Sequence, residues 1–165
     1  MGNIRFEQIG EEHLQEVLDI YNYYVLNTTA TFHDHALSPE EMKQLVYFDS
    51  PVYRTYVIYD KQYIAGYVIL TRYKVREAYR RTAEVTIYLK PDETGKGIGR
   101  AALGYIESYA KTVGIHALIA SICGQNSKSI HLFIRCGYFE CAHYKEVGMK
   151  FGQILDTVAY EKILN

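Results

Sequence analysis

The sequence predicts an α/β domain of the α+β type, with a mixed, largely antiparallel sheet of about seven strands and four helices packed on it. Three observations carry this. Three strand-like stretches follow one another between residues 53 and 89, two more close the chain as a pair, and helical periodicity appears in four separate segments. Strict strand–helix alternation, the mark of a doubly wound sheet, is absent. The 165 residues suit one domain spanning 1–165 with a sizeable core, and no internal repeat or linker divides them.

Asn3 to Ile9 reads as a short strand in which Ile4, Phe6 and Gln8 alternate with charged and polar neighbours. Glu12 to Leu26 places Leu14, Val17, Leu18, Tyr21, Tyr24 and Val25 at helical spacing. Ser38-Pro39-Glu40-Glu41 is a helix start with Ser as N-cap, Pro at the first position and Glu at the third; this helix should reach about Phe48 and stop before Pro51. Tyr53–Tyr59, Tyr63–Tyr73 and Arg81–Leu89 then read as strands. Asp60-Lys61-Gln62 turns the first pair into a hairpin, and the polar segment Lys74–Arg80 crosses to the third. A helix from Ile98 to near Gly114, an apolar strand Ala117–Ile122 and a helix Asn126–Arg135 follow, the last closed by Gly137 as a C′ glycine. Tyr138–Val147 and Ile154–Ile163 form the closing strand pair.

Composition narrows the function classes. A net charge of −1 gives no electrostatic footprint for nucleic acid. No apolar run has membrane-spanning length and no signal-peptide pattern opens the chain. Cys123, Cys136 and Cys141 are too few and odd in number for a disulfide framework, so the cytoplasm is the expected compartment. The 17 tyrosines offer contact area with a polar tip, suited to pocket walls and interfaces as well as to core edges.

The most informative segment is Thr94-Gly95-Lys96-Gly97-Ile98-Gly99-Arg100, between a strand and a helix. Alternate glycines let the backbone turn tightly and approach a ligand, and the following helix presents unpaired amides and its positive dipole end. Such a turn cradles phosphate. Gly97, Gly99 and Ala102 fit the dinucleotide fingerprint, but the region about 20 residues on, Ala117-Leu118-Ile119-Ala120, has no carboxylate. Lys96 is followed by Gly97 rather than Ser or Thr, against a Walker loop. A pyrophosphate cradle for coenzyme A and a bare Gly-rich turn stay open. The pair His33 and His35, and the group His131, Cys136, Cys141 and His143, lack convincing metal-ligand spacing, so no metal is expected.

Taken with Ala30-Thr31-Phe32, the run Arg76 to Glu84, Thr86-Ile87-Tyr88, Asn126-Ser127-Lys128-Ser129-Ile130, Cys136-Gly137-Tyr138 and Lys150-Phe151-Gly152 with Asp156, the chain resembles the GNAT superfamily of N-acetyltransferases. Within it the resemblance is to the branch of phosphinothricin acetyltransferase and related amino-acid N-acetyltransferases, and it covers essentially the whole chain. It implies the GNAT fold, acetyl-CoA as acetyl donor, and a small-molecule amine acceptor such as an amino acid or a phosphinothricin- or methionine sulfoximine-like analogue. It also implies a homodimer with the C-terminal strands near the interface. Direct transfer needs a base, because only the free amine attacks a thioester. Glu84 matches the family's proposed catalytic glutamate. Ile87, Tyr88 and Leu89 are expected to meet the pantetheine arm through their backbone, with an amide near Tyr88 or Leu89 facing the oxyanion. Thr94, Gly95, Lys96, Gly97, Ile98, Gly99 and Arg100 are expected to hold the diphosphate, and Asn126 and Ser129 the pantetheine. Phe32, Arg76, Tyr79 and Glu84 are expected to line the acceptor pocket, Arg76 as a two-pronged grip on a carboxylate.

Four positions depart from the family pattern. Phe133 stands where relatives carry His or Tyr as proton donor, and phenylalanine cannot donate. Thr94 replaces Arg or Gln at the loop's first position; His33 and Ile154 replace the frequent Glu and Trp of the acceptor side. Two rival expectations remain: an acetyltransferase for peptide N-termini, polyamines or antibiotics, and an acyl-CoA-binding module without catalysis.

Overall fold

The computed structural model describes residues 2–165. The chain runs β1 (Ile4–Gln8), α1 (Leu14–Asn27), α2 (Pro39–Val46), β2 (Arg54–Asp60), β3 (Tyr63–Arg72), β4 (Thr82–Leu89), α3 (Ile98–Thr112), β5 (Ala117–Cys123), α4 (Ser127–Arg135), β6 (Phe139–Lys150) and β7 (Gln153–Ile163). Short 3₁₀ turns precede α1 and fill the β3–β4 and β4–α3 connections. The strands form one seven-stranded sheet in the order β1-β2-β3-β4-β5-β7-β6. All neighbours are antiparallel except β4 and β5. The element order and the largely antiparallel sheet agree with the sequence expectation.

Each element has a local cause. Ser38 caps α2: its hydroxyl accepts from the Glu41 N–H at 3.2 Å, while the Glu41 carboxylate accepts from the Ser38 N–H at 2.8 Å. That helix stops at Val46, short of the expected Phe48, because Tyr47 turns extended and donates its hydroxyl to the Gly10 carbonyl at 3.1 Å. The strand β6 runs on to Lys150, past the expected Val147. A bulge absorbs the extra residues. Glu146 adopts φ 56°, its N–H bonds an Asp156 carboxylate oxygen at 2.8 Å, and the other Asp156 oxygen meets His143 Nε2 at 2.8 Å.

The sheet separates two apolar layers. Val68, Leu70, Val85 and Leu118 face α3 and pack on Leu103 and Ile106. Val57, Tyr67 and Ile69 face α1 and α2 and pack on Val17, Tyr21 and Met42. The near-continuous apolar run of β3 follows from this, since both of its faces are covered. Each fully buried Leu, Ile or Val contributes roughly 1.5–3 kcal/mol against exposure.

Candidate active site

The site begins where β4 and β5 part. Their pairing covers only Thr82–Glu84 against Ala117–Ile119, whereas β3 follows β4 up to Leu89 and β7 follows β5 up to Cys123. Each strand therefore stays with its antiparallel partner while the parallel pair opens into a wedge. Antiparallel ladders point alternate residues' peptide groups toward and away from the partner strand. Lys90 N–H donates to the Ala65 carbonyl at 2.8 Å, which fixes the phase: the main chains of Thr86 and Tyr88 serve β3. Those of Ile87 and Leu89 face the wedge, beyond the last paired residues. The Leu89 carbonyl is taken by the Tyr24 hydroxyl, leaving its N–H turned to the opening.

Glu84 lies at the vertex, beside Thr71 of β3 and Ile119 of β5. Side-chain alternation puts it on the α1–α2 face with Thr86 and Tyr88, opposite the core residues Ala83 and Val85. It is half-buried, and burial alone pushes its carboxyl above the usual carboxylate range; among the described residues no charge or hydrogen bond offsets the desolvation. A carboxylate of that kind, held next to an open strand edge, can accept a proton from a cationic amine.

The wedge leads to the glycine loop. Gly95 and Gly97 have φ of 76° and 83°, the left-handed region that side chains resist, and the space beside both Cα atoms is open. The first intrahelical bond of α3 is Ala101 N–H to the Gly97 carbonyl at 3.1 Å, so the amides of Ile98, Gly99 and Arg100 have no intrahelical acceptor. Gly99 also serves packing. A Cβ there would sit 2.8 Å from Leu132 Cδ2, so the glycine lets α3 approach α4. Thr94 donates its hydroxyl to the Pro91 carbonyl at 3.0 Å, and Lys96 Nζ meets Glu93 at 3.2 Å. Arg100 is exposed. Across the wedge, Asn126 caps α4 by accepting from the Ser129 N–H at 3.2 Å. Phe133 is 3% exposed and packs edge-on against Tyr138, so this position belongs to the core.

The residues expected to line an acceptor pocket each have their own neighbours. Phe32 is half-exposed and rests on Gly148, where a Cβ would come within 2.5 Å of the ring. Tyr79 packs edge-on to Tyr73, with Lys74 Nζ about equally close to both rings. Arg76 is exposed at the start of the short 3₁₀ turn. Beside Phe32 lies a polar group for which the sequence gives little signal. Tyr21 hydroxyl bonds Thr31 Oγ1 at 2.6 Å and also His33 Nδ1. Lys150, 3% exposed, donates to the Thr31 carbonyl at 2.7 Å, and burial lowers its pKa. Tyr21 reads from sequence as a helix core residue, and only the Lys150-Phe151-Gly152 motif hints at the lysine.

Among the described residues, Glu7, Glu12 and His13 are the one group of potential metal ligands that falls together. His13 is already occupied: its Nδ1 accepts from the Gly10 N–H at 2.8 Å and its Nε2 lies 3.0 Å from the Tyr59 hydroxyl. Among those residues, too, no helix is long and apolar enough to cross a membrane.

Residues 7–159 match the acetyltransferase (GNAT) domain family. The chain is 34% identical over 158 residues to the phosphinothricin N-acetyltransferase of Streptomyces coelicolor, covering 93% of this chain and 92% of that protein. It is 31% identical over 143 residues to an L-amino acid N-acyltransferase of Escherichia coli, covering 85% and 82%. Among solved structures, a GNAT-superfamily phosphinothricin acetyltransferase of Sinorhizobium meliloti in complex with AcCoA superimposes with a TM-score of 0.90 at 30% identity, over 98% of this chain and 89% of that one.

Proposed function

The chain belongs to the GNAT acetyltransferase family and is an N-acetyltransferase, and on that premise we propose that it carries the acetyl group of acetyl-CoA to the primary amine of an amino acid or amino-acid analogue. The observation that carries the reading is the wedge between β4 and β5, with an unpaired, desolvated carboxylate at its vertex and open main-chain groups along its edge. In this reading Glu84 takes a proton from the acceptor ammonium, directly or through one water. The free amine then attacks the thioester carbonyl, and the Leu89 N–H receives the oxyanion. Collapse of the tetrahedral intermediate expels the thiolate, and the second proton of the attacking nitrogen passes to that thiolate or to water; a thiol with pKa near 8.5 leaves without a donor at Phe133.

The loop Thr94–Arg100 would hold the diphosphate through its main chain, with Lys96 and Arg100 adding charge. Ile87, Asn126 and Ser129 would hold the pantetheine. The names of the relatives, a phosphinothricin N-acetyltransferase and an L-amino acid N-acyltransferase, support the acceptor class. An acceptor carboxylate would draw in Arg76 from its exposed loop, with Phe32 and Tyr79 as walls. Exposed Val147, Met149, Phe151 and Ile154 around the β6–β7 turn support a homodimer through that hairpin. The free cysteines suit a cytoplasmic enzyme.

The test is thiol release from acetyl-CoA with phosphinothricin and a panel of L-amino acids. Glu84→Gln should lower the rate by about 10²–10⁴-fold at neutral pH, and less at a pH where the acceptor is already deprotonated. An equal loss at every pH would remove the base role, and turnover on peptides but not on free amino acids would remove the acceptor class.

A further inference from the structure

Helix α1 holds the C-terminal end of β4 at two points. Tyr24 donates its hydroxyl to the Leu89 carbonyl, and Glu16, about two turns earlier on the same helix, takes the Lys90 ammonium. The Lys90 N–H donates to the Ala65 carbonyl at 2.8 Å, so the peptide that joins Leu89 to Lys90 is bonded through both its oxygen and its N–H. The Tyr24 ring sits among aromatic neighbours: Tyr23 stands edge-on at 5.4 Å, and Tyr88 lies tilted at 5.2 Å. A carbonyl has no proton to give, so the phenol is the donor. Burial, and after it the neighbouring Tyr23, raises the Tyr24 pKa, which keeps that proton in place at neutral pH.

In an extended residue the N–H and the C=O point to the same side of the strand. Leu89 is the last residue of β4, and its N–H faces the wedge; its own carbonyl leaves the strand on that side too. An anion drawn to the Leu89 N–H therefore meets the partial negative charge of the Leu89 oxygen beside it. Left open, that oxygen would also accept from water and bring solvent to the amide. The Tyr24 hydroxyl answers both problems: its proton offsets the charge on the oxygen, and its ring keeps water from the lone pair. Such preorganised dipoles count most where charge develops during the reaction. The neutral thioester carbonyl of the bound donor feels the repulsion less than an oxyanion does, so the benefit falls on kcat rather than on binding.

We infer that Tyr24 is a positioning residue for acetyl transfer: by holding the Leu89 carbonyl it leaves the Leu89 N–H as an unopposed binding point for the oxyanion of the tetrahedral intermediate. This rests on the reading that the Leu89 N–H receives the oxyanion, and adds to it a residue of α1 that acts through Leu89. When the free amine forms its bond to the thioester carbon, the π pair of the C=O moves onto the oxygen. The Leu89 N–H takes up that charge, while Tyr24 keeps the adjacent carbonyl from opposing it. When the C–S bond breaks, the pair on oxygen returns to form the amide carbonyl and the bonding pair leaves with sulfur. No proton passes through Tyr24, so its part is separate from that of Glu84.

Tyr24→Phe keeps the ring and removes only the hydroxyl. It should lower kcat about ten-fold, with KM and calorimetric affinity for acetyl-CoA within about two-fold of wild type. The ratio to wild type should be the same at pH 7 and pH 9, unlike that of Glu84→Gln. A hydroxyl that serves only the fold would lower Tm and leave kcat alone, and that result would overturn the inference; so would a loss confined to KM. A readout free of turnover is the infrared carbonyl band of acetyl-CoA, labelled with ¹³C at the thioester carbonyl and bound without acceptor. In the wild type the band should lie below that of free acetyl-CoA, and in Tyr24→Phe it should move part of the way back. A wild-type band at the position of free acetyl-CoA would remove the oxyanion role of Leu89, and the role of Tyr24 with it. A lowered band that stays where it is in Tyr24→Phe would remove Tyr24 alone and leave Leu89 in place.

Discussion

Gly66→Ala is the sharpest probe of the wedge, because it acts on the edge of β4 from behind. A Cβ at Gly66 would lie 2.3 Å from the Tyr88 carbonyl oxygen and 2.9 Å from Leu89 Cα, both backbone atoms. No rotamer relieves such a clash. Ordinary contact begins at 3.4 Å, so β4 must retreat by about 1.1 Å at that point. The Tyr88 carbonyl and the Leu89 N–H share one peptide unit, so the retreat pushes that N–H into the wedge. Overpacking of this kind costs about 1–3 kcal/mol, which lowers Tm by roughly 2–4 °C for each kcal/mol in a chain of this size. Displacing a reacting partner by about 1 Å can cost about 10²-fold in rate. The expected result is a folded, moderately destabilised protein with kcat/KM down about 10²-fold and circular dichroism unchanged. Wild-type Tm together with wild-type kcat/KM would refute both the close approach of β3 to Tyr88 and the use of the Leu89 amide.

Gly104→Ala is the opposite case: this helical glycine is exposed with nothing near a Cβ, so calorimetric unfolding should show a gain of about 0.5–1 kcal/mol with no change in rate. Asn126→Ala removes the cap of α4 and should cost about 0.5–2 kcal/mol in urea unfolding; Asp at that position should recover most of it. Lys150 titrates lower in the folded chain than the roughly 10.4 of an unfolded lysine, so between those values the folded chain binds fewer protons. Its contribution to stability therefore rises with pH through that window. The difference in stability between wild type and Lys150→Met, followed by urea unfolding from pH 7 to 10.5, should rise in the wild type's favour; a flat difference would contradict it.

Much of the fold was legible because its signals are local. The Ser38 box, the two-period strands and Gly137 at φ 89° each fix an element without help from the rest of the chain. The order of elements then left few topologies. The wedge was not legible in the same way. Nothing in Val85 to Leu89 announces that β4 loses its parallel partner after Glu84; that follows from β3 and β7 holding their own neighbours in register. The amide facing the opening could be narrowed to Tyr88 or Leu89 from sequence, and the ladder phase selects Leu89. The polar group around Thr31 was hidden for a further reason. Tyr21, Thr31 and Lys150 are 10 and 119 residues apart in successive steps along the chain, and each alone reads as a core or surface residue. Arg76 shows the converse: its pattern is plain in the sequence, and in the fold its side chain is exposed at the start of the β3–β4 connection.

A lone half-buried carboxylate is a cost that folding alone gives no reason to keep. Glu84 titrates above the usual carboxylate range because burial disfavours its charge, with no partner in return. The folded chain therefore binds more protons than the unfolded chain between the unfolded value, near 4.3, and the raised folded one. Stability contributed by this group falls as pH rises through that window, and the full penalty is present above it. Glutamine has the same shape and no charge to desolvate. Glu84→Gln should thus be more stable than wild type at pH 7, the advantage shrinking to nothing as pH falls below about 4, while the rate falls. A structural glutamate would behave in the reverse sense, since removing it would break an ion pair and destabilise the protein at pH 7. Urea unfolding of the two proteins at pH 4 and pH 7 separates the cases. A variant less stable than wild type at pH 7 would mean that Glu84 has a partner after all, and that the vertex of the wedge is built for folding rather than for proton transfer.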